Sequence, residues 1–290
     1  MSKLSLADLL DFSNRLSAYP TARRIAAHCI LISRQIIPNC FDIWTDDKSN
    51  PSFVVVIDNE KVPTLREPMI HIWSRPDIGL DFGVKSLSDL LSFIPIDWQL
   101  KWHLHQTETP HTDALLRRYI EQSGGQIVDE GLPCRQLYHP ELEPEKIHLP
   151  PLSPEFAVDY LRESDLDEVC ALWDYGKVQS TRERLLFWIT HLPSTCVRIA
   201  ESGKPIAHCV STDRGSIGVL FVAPEYRGRG LGKFTILDCT KKLLELRIGT
   251  QVFEHTLVTN QVSLNVFKSV GFLDMGSDFN FYSCIRRQSQ

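Results

Sequence analysis

Residues 217–233, Ile-Gly-Val-Leu-Phe-Val-Ala-Pro-Glu-Tyr-Arg-Gly-Arg-Gly-Leu-Gly-Lys, constrain this chain more than any other stretch. An apolar, β-prone run meets a turn containing Pro224, and a glycine-rich loop follows. Phe234-Thr-Ile-Leu-Asp-Cys-Thr-Lys-Lys-Leu-Leu-Glu-Leu246 then reads as a helix. A strand that feeds a glycine loop at a helix N-terminus is a place to hold a phosphate. Backbone N–H groups point outward there, and the helix dipole favours negative charge. Gly228, Gly230 and Gly232 let the backbone approach an anion without Cβ obstruction.

Spacing discriminates between phosphate loops. A P-loop requires Gly, four residues, then Gly-Lys-Ser/Thr. Gly232-Lys233 fits its end, but Arg227 occupies the first Gly position and Phe234 stands where a magnesium-ligating hydroxyl is needed. A dinucleotide fingerprint requires G-x-G-x-x-G, and after Gly228 and Gly230 the third Gly comes one residue too early. Arg227-x-x-Gly230-x-Gly232 instead resembles the acyl-CoA pyrophosphate loop of the GCN5-related N-acetyltransferase (GNAT) superfamily, (Gln/Arg)-x-x-Gly-x-(Gly/Ala). Val219-Leu220-Phe221-Val222 resembles that superfamily's fourth strand, which splays from the fifth to admit pantetheine.

The second half of the resemblance lies downstream. Residues 252–258 read as a strand by β-propensity. Asn260 to Phe272 reads as a short helix ending at a Gly cap. It resembles the superfamily's Asn-x-x-(Ala/Ser)-x-x-x-Tyr-x-x-x-Gly-Phe, whose Asn bonds the pantetheine arm. Asn260, Ser263, Gly271 and Phe272 match, and Phe267 stands where many members have Tyr. The resemblance therefore implies an acyl-CoA or acetyl-CoA co-substrate, with no metal. It would be held by Leu220, Phe221, Val222, Arg227, Gly228, Arg229, Gly230, Leu231, Gly232, Lys233, Asn260, Ser263 and Phe267.

Composition narrows the class. A chain of 290 residues is comfortable for two domains. A net charge of −5 argues against a general nucleic-acid binder. No apolar run approaches a membrane span, and the N-terminus reads as an amphipathic helix, so a cytoplasmic protein is expected. Eight scattered cysteines form no Cys-x-x-Cys and read as buried thiols. His103 and His105 lack a Cys or Glu-His partner nearby and read as a surface pair.

The run 139–154 holds five prolines and reads as a linker, expected over 141–154. It separates an N-terminal α/β part (1–140) from a C-terminal domain (155–290). In the latter the expected order is strand 156–161, helices 165–175 and 180–192, strands 196–201, 205–212 and 216–222, helix 230–247, strand 252–258, helix 261–269 and strand 279–285. Asp165 and Ser180 are candidate N-caps. The fold class is α/β, a mixed, mostly antiparallel sheet with helices on both faces. In the first part we expect a helix at 5–17, strands at 25–33, 53–57 and 69–73, helices at 86–93 and 113–120, and an edge strand at 135–138. Element order suggests a degenerate second GNAT-like unit, giving tandem domains.

Within the superfamily the chain resembles the glycine N-acyltransferase group. Leu172-Trp173-Asp-Tyr175-Gly176, Pro193-Ser-Thr-Cys196, Pro224-Glu-Tyr-Arg227, Val252-Phe-Glu-His255 and the Cys284 end carry that resemblance, with the Trp98 neighbourhood in the first half. It implies acylation of a small amine such as glycine. Those enzymes carry a Glu, their proposed general base, at the start of the fourth strand, where this chain has Ser216. Acyl transfer needs a base with a pKa near 7 to free the amine lone pair. His255 fits by type, with an ordinary pKa of about 6.5. A half-buried strand histidine bonded to a neighbour is the alternative. Ser216 either orders a relay water or is an ordinary strand hydroxyl. Trp173 and Tyr175 either line an acceptor pocket or pack the core. The N–H of Val222 is the expected oxyanion donor. Three readings stay open: a small-molecule N-acyltransferase, a protein N-acetyltransferase acting on a peptide amine, and an acyl-CoA-binding protein with weak catalysis.

Overall fold

A computed structural model of the chain describes residues 1–59, 69–96, 102–106, 110–177 and 179–286. It divides into two compact units. One comprises Met1–Cys134 with Ser277–Gln290, the other Arg135–Gly276.

The first unit contains β1 (Ser2–Lys3), α1 (Leu6–Leu16), α2 (Arg23–Ser33), β2 (Phe41–Thr45), β3 (Phe53–Asp58), β4 (Met69–Ser74), α3 (Leu80–Phe93), β5 (Trp102–Gln106), α4 (Pro110–Gln122) and β6 (Gly125–Asp129). Strands β1 to β4 pair antiparallel in sequence order. Strand β5 runs parallel to β4, through four register pairs from Met69–His103 to Ile72–Gln106. The core packs Phe53, Val55, Ile57, Ile70 and Ile72 of the sheet against Leu87, Leu90 and Leu91 of α3 and Leu115 and Leu116 of α4.

After β7 (Pro133–Tyr138), the second unit continues with β8 (Phe156–Asp159), α5 (Leu166–Leu172), α6 (Gln179–His191), β9 (Ser194–Ile199), β10 (Pro205–Ser211), β11 (Ser216–Val222), α7 (Leu231–Glu245), β12 (Phe253–Leu257), α8 (Gln261–Lys268) and β13 (Leu273–Arg286). Strands β8 to β11 pair antiparallel in order, and β12 runs parallel to β11. The two units thus share one element order, strand, two helices, three antiparallel strands, helix, parallel strand, helix. This is the tandem, mixed α/β arrangement expected.

The unit boundaries differ from those expected at 140 and 155. Residues 281–286 of β13 pair with β5 and β6, so the end of the chain completes the first unit's sheet. Arg135–Tyr138, expected as an edge of the first half, lies in the second unit beside β12, where His139 N–H donates to Val252 O at 2.9 Å. The proline run is not a free tether. Ile147 is buried, and Leu149 and Leu152 pack on the cluster of Phe156, Val197, Ile206, Leu231 and Phe234. Extended proline-rich chain needs no ladder bonds, so it buries side chains without a sheet partner.

One element changes type. Residues 25–33, expected as a strand, lie in α2, where every residue from Arg24 to Ile32 is buried. A helix buried on all sides shows no 3.6-residue alternation, so its apolar run is indistinguishable from a buried strand. Trp98 lies outside the described residues, as do the side chains of His103, His105, Tyr175, Ser180 and Cys284. The other seven cysteines are free and buried. Among the described residues no helix is long and apolar enough to cross a membrane.

Candidate active site

The site in the second unit is built from a strand that leaves its neighbour. Strands β10 and β11 pair as Ala207–Val222 and His208–Phe221, then as Val210–Gly218 and Ser211–Ile217. Two residues of β11, Val219 and Leu220, therefore oppose Cys209 alone. This is a β-bulge, and it bends the strand that carries it. Val219 sits at φ 54°, an outlier for a β-branched residue. On the other side the β11–β12 ladder holds two register pairs, Ser216–Phe253 and Ile217–Glu254. Beyond them β11 continues five residues and β12 three, so the strands fork. The first unit's equivalent pair, β4–β5, stays together over four.

Backbone direction decides what faces the fork. Ala223 N–H donates to Ile206 O on β10 at 2.8 Å. Successive N–H groups point to opposite edges of a strand, so the Val222 N–H faces the fork. Val222 O accepts from Arg227 Nε at 3.1 Å, which fixes the turn that follows.

That turn delivers the loop. Gly228 and Gly230 adopt φ 77° and 80°, a left-handed conformation that L side chains rarely adopt. Gly230 caps α7, and Phe234 N–H returns to Gly230 O at 3.1 Å. Among the described residues, none of the six N–H groups from Gly228 to Lys233 donates to a backbone carbonyl. They form a row of open donors at a helix N-terminus, an anion cradle. A Cβ on Gly232 would stand 3.6 Å from Val222 Cγ2 and 3.7 Å from Val266 Cγ2, so α7 starts where β11 and α8 converge. Arg227, Arg229 and Lys233 are exposed around the loop. Arg229 lies over the Tyr226 ring, 5.2 Å to its centroid, with Nη1 3.6 Å from Glu155 Oε2.

The structure places the remaining expected residues as follows. Leu220, Phe221 and Val222 are half-buried along the fork's β11 arm, and Leu231 is buried under the loop. Asn260 caps α8, its Oδ1 accepting from Ser263 N–H at 3.1 Å, which leaves its amide nitrogen exposed beside β12. Phe267 is fully buried against Phe272, ring centroids 5.1 Å apart. His255 is half-buried on β12, one residue past the last ladder pair. Ser216 is buried, its Oγ 2.6 Å from Thr212 Oγ1, so that hydroxyl already has a partner inside the β10–β11 turn. Trp173 is half-buried.

Sequence reading missed two groups beside the fork. His208 is 2% exposed and stacks on Phe221, ring centroids 5.5 Å apart and 24° between planes. Burial drives its pKa down to about 4, against the opposing field of Asp165, so the ring is neutral at pH 7. Glu254 is also 2% exposed, with no hydrogen bond to Oε2, and burial pushes its carboxyl well above the usual range. A polar residue within a run otherwise read as a strand was the available signal for both.

Away from the fork, α5 is anchored by a buried ion pair, Arg198 Nη2 to Asp165 Oδ2 at 2.6 Å. Burial works against the Asp165 carboxylate, but the Arg198 bonds and the Arg162 N–H hold its pKa below the ordinary value. Asp165 directly precedes α5, but it does not cap it: its carboxylate makes no bond to the first turn of α5 and is taken up by Arg198 and the Arg162 N–H.

Comparison with known proteins bears on this geometry. Residues 159–272 match the model of the acetyltransferase (GNAT) family. The bovine (Bos taurus) glycine N-acyltransferase is 24% identical over 143 residues, 49% of this chain and 44% of that protein. The match thus spans less than half of that relative's length. An X-ray structure of a Drosophila protein superposes with a TM-score of 0.72 at 16% identity, covering 99% of both chains. A tandem GNAT protein from the clavulanic acid biosynthesis pathway does so at 0.52 with 12% identity, covering 99% of this chain and 98% of its own.

Proposed function

We propose that the second unit, which contains the stretch 159–272 that matches the acetyltransferase (GNAT) family, transfers an acyl group from acyl-CoA to an amine, glycine or another small amino acid being the first candidate acceptor. One observation carries the reading. A two-pair fork between parallel strands opens directly onto six unpaired N–H groups at the start of α7. A pyrophosphate on those donors and a pantetheine arm in the fork together account for both features. Asn260 would bond the arm, and Arg229 and Lys233 would meet the phosphates. Among the described residues the first unit shows neither such a loop nor such a fork, which favours an acyl-CoA site in the second unit.

Chemistry follows from the residues at the fork. The Val222 N–H would donate to the developing oxyanion of a thioester carbonyl. His255, at the point where the strands part, would take the ammonium or amine proton. The leaving group is a thiol with an ordinary pKa of about 8.5, which a neutral carboxylic acid is strong enough to protonate as it departs. Weak catalysis is the second reading, and Ser216 favours it. Its hydroxyl is bound to Thr212 and cannot serve as a base near neutral pH. A reducing compartment such as the cytoplasm suits the seven buried free thiols, and peptide amines remain acceptors to be tried.

The test is an amine screen that follows release of the CoA thiol from acetyl-CoA and benzoyl-CoA, with calorimetry of acetyl-CoA binding beside it. Amine-dependent thiol release supports transfer. Saturable binding without release by any amine supports the second reading, and absence of binding refutes both.

A further inference from the structure

We propose that Glu254 is the acid that protonates the departing CoA sulfur, working from the opposite face of the fork to His255. The inference rests on the acyl-transfer reading above and extends it to the leaving group. Its basis is the direction of side chains. Ser211 Oγ shares a hydrogen bond with Cys239 Sγ of α7 at 3.5 Å, so Ser211 faces α7. Ile217 is its partner across β10–β11, and Glu254 is Ile217's partner across β11–β12. Partners in a ladder share a face, so the Glu254 carboxyl lies on the α7 side, and its neighbour His255 on the other.

The two faces have different chemistry. Helix α7 begins at the loop whose open N–H groups would anchor the CoA pyrophosphate. With the pyrophosphate on those donors the cofactor would enter the fork from the α7 side, and an amine attacking the thioester carbonyl would come from the side of His255. Adjacent residues at the vertex of the fork thus place one proton-transfer group on each face.

The state of Glu254 fits a proton donor. It is buried, Oε2 has no hydrogen-bond partner, and among the described residues no cation forms an ion pair with it. Among the described residues, the Cys209 thiol on β10 interacts with it electrostatically, and Cys239 of α7 packs against Cys209 in turn. A carboxylate in this position would carry an unpaired buried charge, whereas a carboxylic acid carries none. A merely structural role gives no reason for a carboxyl here, since an apolar side chain of similar size would pack without desolvating a polar group.

In the step proposed, the amine nitrogen forms a bond to the thioester carbonyl carbon and its proton passes to His255. The C–S bond then breaks, its electron pair goes to sulfur, and the Glu254 proton follows to give the free thiol. His255 releases its proton to solvent, and Glu254 regains one from solvent when CoA leaves. Atoms and charge balance without another reactant.

The experiment uses the full chain and the isosteric variant Glu254→Gln, which keeps shape but has no proton to transfer. We expect acetyl-CoA affinity by calorimetry within about twofold of wild type and kcat lower by at least about 100-fold, the usual scale for an acid–base group. Infrared difference spectra give a readout that packing would not move. Wild type should show a protonated-carboxyl C=O band at neutral pH that shifts when acetyl-CoA binds and is missing in Glu254→Gln. Wild-type kcat in the variant, or a band that ignores acetyl-CoA, overturns the proposal. If wild type binds acetyl-CoA but acylates no amine, the transfer reading fails separately, and the band shift still decides whether Glu254 meets the thioester. If the variant does not fold, the wild-type band shift alone decides it.

Discussion

Replacing His208 by Leu should make the second unit markedly less sensitive to acid. His208 is buried on β10 against Phe221, with no hydrogen bond to Nε2, and burial holds its pKa at about 4 against an ordinary 6.5. Above pH 6.5 the imidazole is neutral in the folded and unfolded chain alike, and its contribution is fully present. As pH falls below that value the unfolded chain takes up a proton that the folded one refuses. Stability then drops by about 1.4 kcal/mol per pH unit until the native ring itself titrates. The loss attributable to this one group approaches about 3 kcal/mol by pH 4. Leucine has nearly the volume of histidine and cannot take up a proton, so its packing cost is a constant offset. The measurement is urea unfolding of both proteins between about pH 7 and about pH 4. Hydrogen exchange of the β9 and β10 amides separates this unit from the other. The wild-type and variant curves should converge or cross as pH falls. A stability gap that stays constant across the range would refute the reasoning, because every other titrating group is common to the two chains.

Glu254→Gln should show the opposite sign. Its native carboxyl is raised, so stability falls with rising pH above the ordinary carboxyl value of 4.5. The variant should remove a slope of about 1.4 kcal/mol per pH unit, read by the same unfolding series. His255→Ala should lower kcat about 100-fold or more while calorimetry finds acetyl-CoA binding intact, and equal turnover would end its role as base. Gly230→Ala meets no atom within 4 Å but must adopt φ 80°. We expect a stability loss of about 1 kcal/mol and a larger proportional fall in CoA affinity, since the cap geometry aims the loop's N–H groups. Arg229→Glu should weaken CoA binding and flatten its salt dependence, and unchanged affinity would count against this loop as the phosphate site.

Local chemistry made much of the second unit legible. The glycine spacing at 228–232 set the left-handed turn and the helix start, and Asn260 with Ser263 set the cap of α8, because both depend on residues within a few positions of one another. Helices α5 to α8 and strands β8 to β12 fall within a few residues of their expected bounds for the same reason. Helix α2 was misread because complete burial erases the pattern that distinguishes a helix from a strand.

What the sequence by itself determined is the cradle. Positive-φ glycines, a helix N-terminus and nearby cations follow from the order of residues 224–233 alone. Only the tertiary structure decided the rest of the site. The fork exists because a bulge at Val219 bends β11 away from β12 after two pairs, and the pairing of residues 37 apart in sequence, Ser216 with Phe253 and Ile217 with Glu254, is a long-range fact. The same fold sends residues 281–286 to the first unit and Arg135–Tyr138 to the second. It also turned two ordinary-looking strand residues, His208 and Glu254, into buried groups with displaced pKa values. Burial is a property of packed neighbours from β9, β11 and α7, and no window of local sequence contains them.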